Sequence, residues 1–117
     1  MREIVLERDD YTCACCGNSV WQRPYSLQHR VARGMGGTSN PAANRPSNLI
    51  TLCGSATSPS GCHLLAEERN QAMNELGFWL RNSQRPALEP VAHALYGWAY
   101  LLDEEPWVMP TERGGAA

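Results

Sequence analysis

Two cysteine groups, "CACCG" and "LCGSATSPSGC", constrain this chain more than any other feature. Cys13 and Cys16 form a C-x2-C pair with Gly17 directly after, a knuckle in which two thiolates can face one ion. Cys53 and Cys62 are separated by eight residues rich in Ser, Gly and Pro. A 36-residue interval, residues 17–52, lies between the two pairs. Such pairs match the ligand set of a four-thiolate structural zinc site made by Cys13, Cys16, Cys53 and Cys62. Disulfides and free core thiols are the competing readings. A reducing cytoplasm disfavours disulfides, and five cysteines leave one over under any pairing. The knuckle spacing makes Cys15 the spare.

A bound ion would also answer a problem of size. The chain has 117 residues, enough for one domain, and small domains bury a smaller share of their surface. Holding residues 13–16 beside Cys53 and Cys62 closes a long loop, and metal binding then contributes directly to folding free energy. Hydrophobic residues make up 43% and charged ones 19%, within the globular range. No apolar run approaches the roughly 18–20 residues of a membrane span. The start, "MREIVLERDD", alternates charge and apolarity, unlike a signal peptide. The expectation is one soluble, cytoplasmic domain over residues 1–117 with no membrane partner.

Charge is unevenly spread beneath a net value of −2. From Tyr11 to His63 there are four arginines and no Asp or Glu, whereas from Leu64 onward eight carboxylates outnumber four arginines. A local basic segment suits a polyanion partner even in a slightly acidic protein, although an ordinary solvated surface accounts for it equally well.

The order of elements follows from periodicity and punctuation. Residues 2–10 suit a short helix. Residues 25–31 read as a strand, with Leu27 and His29 on one face and Gln28 on the other. "RGMGGTSNPAANRPSN" is a loop by composition. Residues 48–53 form a second strand, apolar and β-branched. Residues 62–77 carry helical spacing at Leu65, Ala66, Arg69, Ala72, Met73 and Leu76, with Gly77 as the stop. "FWL" and residues 97–102 read as strands, and the tail "TERGGAA" as frayed. The class is α+β: a strand–loop–strand–helix unit over residues 11–67, then a C-terminal β extension over residues 77–107.

In this frame His29 lies on the first strand, Asn48 opens the second and His63 opens the helix. Their order, bracketed by cysteine pairs, resembles the HNH endonuclease family. "YTCACCG", "LQHRVARGMGG", "SNLITLCGS" and "GCHLL" are similar in order and spacing to the small zinc-stapled HNH proteins of actinobacterial phages. The resemblance implies a small ββα-metal fold, structural Zn2+, and a divalent catalytic ion such as Mg2+, Mn2+, Ni2+ or Zn2+. It further implies phosphodiester hydrolysis of DNA, and by analogy a role in phage DNA packaging beside a terminase. A non-catalytic zinc-stabilised module that binds DNA or protein is the alternative.

The resemblance also assigns roles. His29 is the general base, since neutral imidazole can take a proton from water near neutral pH. Asn48 orients the catalytic loop through backbone hydrogen bonds. His63 holds the position of a metal ligand, and Glu67, one helical turn on, shares its face. Gln28 departs from the pattern, because the residue before the base is usually Asp or His and ligates the ion. A neutral carbonyl oxygen is a weaker ligand than a carboxylate. Three outcomes are open: Gln28 ligates weakly, Glu67 compensates, or catalysis is impaired. Arg30 and Arg33, with the glycine loop at residues 34–37, read as DNA phosphate contacts, with a plain solvated turn as the alternative. His93 lies on no motif and reads as a surface or packing residue; Trp79, Trp98 and Trp107 read as packing for the C-terminal β part.

Overall fold

The computed structural model describes residues 1–32, 41–55 and 60–112. Helix α1 (Arg2–Arg8) buries Val5 and Leu6 and ends where Asp10 and Tyr11 turn left-handed, at φ 54° and 52°. Strands β1 (Tyr25–His29) and β2 (Leu49–Cys53) pair antiparallel, with Tyr25 opposite Cys53 and His29 opposite Leu49. Leu49, Ile50, Thr51 and Leu52 of β2 are all buried, so β2 runs through the interior while β1 stays half-exposed. Helix α2 (Gly61–Glu67) packs against both strands.

The expected helix over residues 62–77 is two helices. After α2 the chain turns left-handed at Arg69, φ 56°, and Asn70 caps α3 (Gln71–Glu75). The Asn70 side-chain oxygen accepts the backbone N–H groups of Ala72 at 2.9 Å and Met73 at 3.3 Å. A short amide side chain offers the backbone this alternative to continuing the helix, which apolar spacing does not register. Gly77 follows as the expected stop.

"FWL" is buried but is not a strand. Its backbone groups are taken locally: Phe78 N–H donates to Met73 and the Asn74 side chain donates to the Trp79 carbonyl. Leu80 keeps only an isolated bridge to Val31. The C-terminal sheet orders β3 (Val91–His93), β4 (Gly97–Leu101) and β5 (Val108–Pro110), all antiparallel. β4 lies within the expected strand, whereas the three-residue strands β3 and β5 are too short to show a period.

One core unites both parts. Cys13, Ala14, Val20, Ile50 and Leu52 pack with Ala66, Met73, Phe78, Trp79, Val91 and Leu101. Backbone bonds join the same parts, Ala94 N–H to the Ala14 carbonyl at 2.6 Å and Ala92 N–H to the Leu76 carbonyl at 2.8 Å. Of the three tryptophans expected to pack, Trp79 is buried, while Trp98 and Trp107 are half-buried. Among the described residues, no helix is long and apolar enough to cross a membrane.

Candidate metal centre and adjoining cleft

The sulfur atoms of Cys13, Cys16, Cys53 and Cys62 lie within 4.8 Å of one another. Tetrahedral zinc–thiolate bonds of about 2.3 Å separate neighbouring sulfurs by about 3.8 Å. Cys16 and Cys53 stand 3.8 Å apart, and all five cysteines are free thiols. The four could therefore hold a metal ion such as zinc. Backbone N–H groups already point at two of the sulfurs, Cys16 to Cys13 at 3.5 Å and Cys62 to Cys53 at 3.4 Å. Cys15 lies outside the group, 4.0 Å from the Met73 sulfur, as the spare.

Two glycines let the second pair close. Gly54 has φ 87°, and a Cβ there would lie 2.0 Å from the Ser60 carbonyl oxygen. Gly61 has φ 62°, and its Cβ would come 2.7 Å from the Cys53 sulfur. Neither position admits a side chain without displacing the loop. Burial pushes the Cys13 thiol up to about 11 and raises Cys62 further, helped by the neighbouring thiols. Cys16 is lowered: hydrogen bonds from the Asn18 backbone and Cys13 outweigh the opposing effect of burial. Crowded, desolvated thiols resist ionising together, and a cation among them reverses that preference.

A cleft of about 320 Å³ opens between β1 and α2. Ser26, Gln28, His29, His63, Glu67 and Arg69 are among its lining residues. Strand alternation sends Ser26 and Gln28 toward α2, where both reach His63 Nδ1, at 2.9 and 2.6 Å. The Gln28 amide nitrogen donates to Glu67 at 3.1 Å. Gln28, His63 and Glu67 are thus brought together, with the amide bridging imidazole and carboxylate.

His29 closes the strand, and its Nε2 lies 2.9 Å from the Asn44 side-chain oxygen. Asn44 was not foreseen; it lies before the motif stretch that begins at Ser47, and only the course of the chain brings it near. Buried Asn48 accepts the Val31 N–H at 2.8 Å and donates to the carbonyls of Val31 at 3.2 Å and Ala43 at 2.9 Å. It ties the chain leaving β1 to the start of β2.

Arg30 corrects the expected phosphate contacts. It is 1% exposed, and its guanidinium donates to four backbone carbonyls. These are Gly77 at 2.9 Å, Ser47 at 2.9 Å, Pro86 at 3.0 Å and Glu89 at 2.6 Å. Burial lowers it to about 9, which leaves it charged at neutral pH. With its fork occupied it cannot face a phosphate. Arg33 and the glycine loop at residues 34–37 lie outside the described residues.

A second buried network also escaped the sequence. Asp9 receives Arg8 through two 2.8 Å bonds, His93 Nε2 at 2.8 Å and the Thr51 N–H at 3.0 Å. His93 is therefore a buried packing residue. Its Nδ1 accepts the Leu95 N–H at 3.1 Å, so Nε2 carries the proton given to Asp9. Burial alone would raise the Asp9 carboxyl, but the bonds from His93 and Arg8 hold it down at about 2.

Compared with protein-family models, curated proteins and solved structures, the chain matches none.

Proposed function

We propose that the protein is a metal-dependent DNA endonuclease of HNH type, with β1, β2 and α2 as its ββα-metal unit and zinc as its staple. The observation that supports this most is the convergence of His29, Gln28, His63 and Glu67 on one cleft.

His29 acts as general base. The Asn44 oxygen only accepts, so Nε2 holds the ring proton and Nδ1 keeps the lone pair that takes a proton from water. Asn48 fixes the chain after β1 and so holds His29 in register with α2. His63, Glu67 and the Gln28 carbonyl are the candidate ligands of the catalytic ion. A divalent ion supplies charge neutralisation at the scissile phosphate and at the departing 3′-oxygen. Work on DNA in a host-cell cytoplasm, beside a phage terminase, follows from the family resemblance alone.

The test is nicking of supercoiled plasmid by the zinc-loaded protein with Mg2+, Mn2+, Ni2+ or Zn2+, against a chelator control. Cleavage is expected with at least one ion and is lost in His29→Ala, with fold and zinc content unchanged. Undiminished cleavage by His29→Ala removes that residue from the mechanism. A second reading, a zinc-stapled module that binds without turnover, is favoured by the Gln28 amide, which satisfies His63 and Glu67 with no ion. A salt-sensitive gel shift with no cleavage under any ion would select it.

A further inference from the structure

Withdrawal of Arg30 into the interior leaves Arg69 as the other arginine lining the cleft among the described residues. Arg69 sits at the break between α2 and α3 with φ 56°, a conformation glycine adopts far more readily. Its guanidinium carbon lies 5.0 Å from the Trp79 ring centroid. Arg81 is the second guanidinium on that indole, at 5.7 Å. The platform is fixed from below, because Trp79 Nε1–H donates to the Asn70 carbonyl at 2.7 Å. Arg81 is steadied by the Asn74 side-chain oxygen at 3.0 Å. Both arginines are exposed, and no carboxylate among the described residues forms an ion pair with Arg69.

We propose that Arg69 and Arg81, stacked on Trp79, form the rim that holds a DNA phosphate at the mouth of the cleft; this rests on reading the cleft as a nucleic-acid site. A guanidinium stacks through its face and donates through its edge, so an arginine on an indole still presents its N–H fork to a phosphate. An anion entering the cleft meets the Glu67 carboxylate, and two fixed cations at the rim offset that repulsion. The rim lies in the acidic half of the sequence, where charge counting would not look for it.

A purely structural role, shielding Trp79 from water, makes a different prediction. Binding of a short fluorescent DNA duplex to the full chain can be followed with Ca2+ present, over about 50–200 mM salt. Each phosphate contact contributes about 0.9 to the slope of log affinity against log salt. Arg69→Gln and Arg81→Gln should each lower the slope by about that amount. Arg69→Lys should keep most of it, and Arg85→Gln, beside Arg45 and Asp103 in a separate cavity, should change nothing. Arg69→Gly removes the guanidinium but suits the left-handed backbone, so a slope lost there does not reflect misfolding. Unchanged slopes in Arg69→Gln, Arg69→Gly and Arg81→Gln overturn the proposal, as does the absence of salt-dependent binding by the unmodified protein. Plasmid cleavage is scored separately. Arginine-dependent binding without nicking by any ion removes the nuclease reading and keeps the rim; nicking with a slope indifferent to both arginines does the reverse.

Discussion

His29 Nε2 lies 2.9 Å from the Asn44 side-chain oxygen, and that contact decides which nitrogen of the ring is free. Asn44→Ala should slow cleavage by about tenfold or more, less than the roughly 10²–10⁴-fold expected of His29→Ala. DNA affinity should stay unchanged. Asn44→Asp restores an acceptor and adds a charge that favours imidazolium, so the acidic limb of the pH–rate profile should move to higher pH. Single-turnover cleavage across pH measures both; a profile that ignores residue 44 would mean that Asn44 does not position the base.

Gln28 places a neutral oxygen 2.6 Å from His63 Nδ1, where a carboxylate would bind a hard cation better. Gln28→Asp should tighten Mn2+ binding at the cleft by about tenfold, and cleavage should rise at limiting metal. Calorimetric titration of the zinc-loaded protein reads the first and plasmid nicking the second. Unaltered or weaker Mn2+ binding would take residue 28 out of the ligand set.

The sulfur cluster predicts one zinc per chain, held by four of the five cysteines. Cys15→Ser should retain the metal and melt close to the parent. Cys53→Ser should lose the metal and the cooperative melt together, because binding and folding share their free energy. Elemental analysis with calorimetry tests this, and a Cys15→Ser chain that lost its zinc would redraw the ligand set.

Acid should release part of the stability through Asp9. Its folded carboxyl sits near 2 against an ordinary 3.8, a depression worth about 2 kcal/mol. That contribution is complete above about pH 4 and disappears as pH falls through about 2. Urea unfolding of Asp9→Asn should depend less on pH across this window than unfolding of the parent. Parallel curves would assign the acid sensitivity to other carboxylates.

Local chemistry explains what the sequence revealed. β1 and α1 carry their own patterning, β2 its run of apolar and β-branched residues, and the cysteine grouping follows from spacing, so each was visible before any tertiary contact was known. The break at Arg69–Asn70 was not, because a capping side chain competes with a helix that apolar spacing alone supports. Arg30 misled for another reason. It stands in a stretch with His29, Arg33 and a run of glycines, whereas the carbonyls that consume it come from residues 47, 77, 86 and 89. Asp9 and His93 are 84 positions apart, so no local pattern could pair them.

Three of the four carbonyls on Arg30 belong to Gly77, Pro86 and Glu89, beyond the last motif residue. The motif-bearing stretch is therefore not a portable cassette. Cut after Glu67, it would keep its cysteines, His29, Asn48 and His63, yet carry a desolvated cation with one acceptor left. Transplanting the site into another scaffold means transplanting the C-terminal third with it.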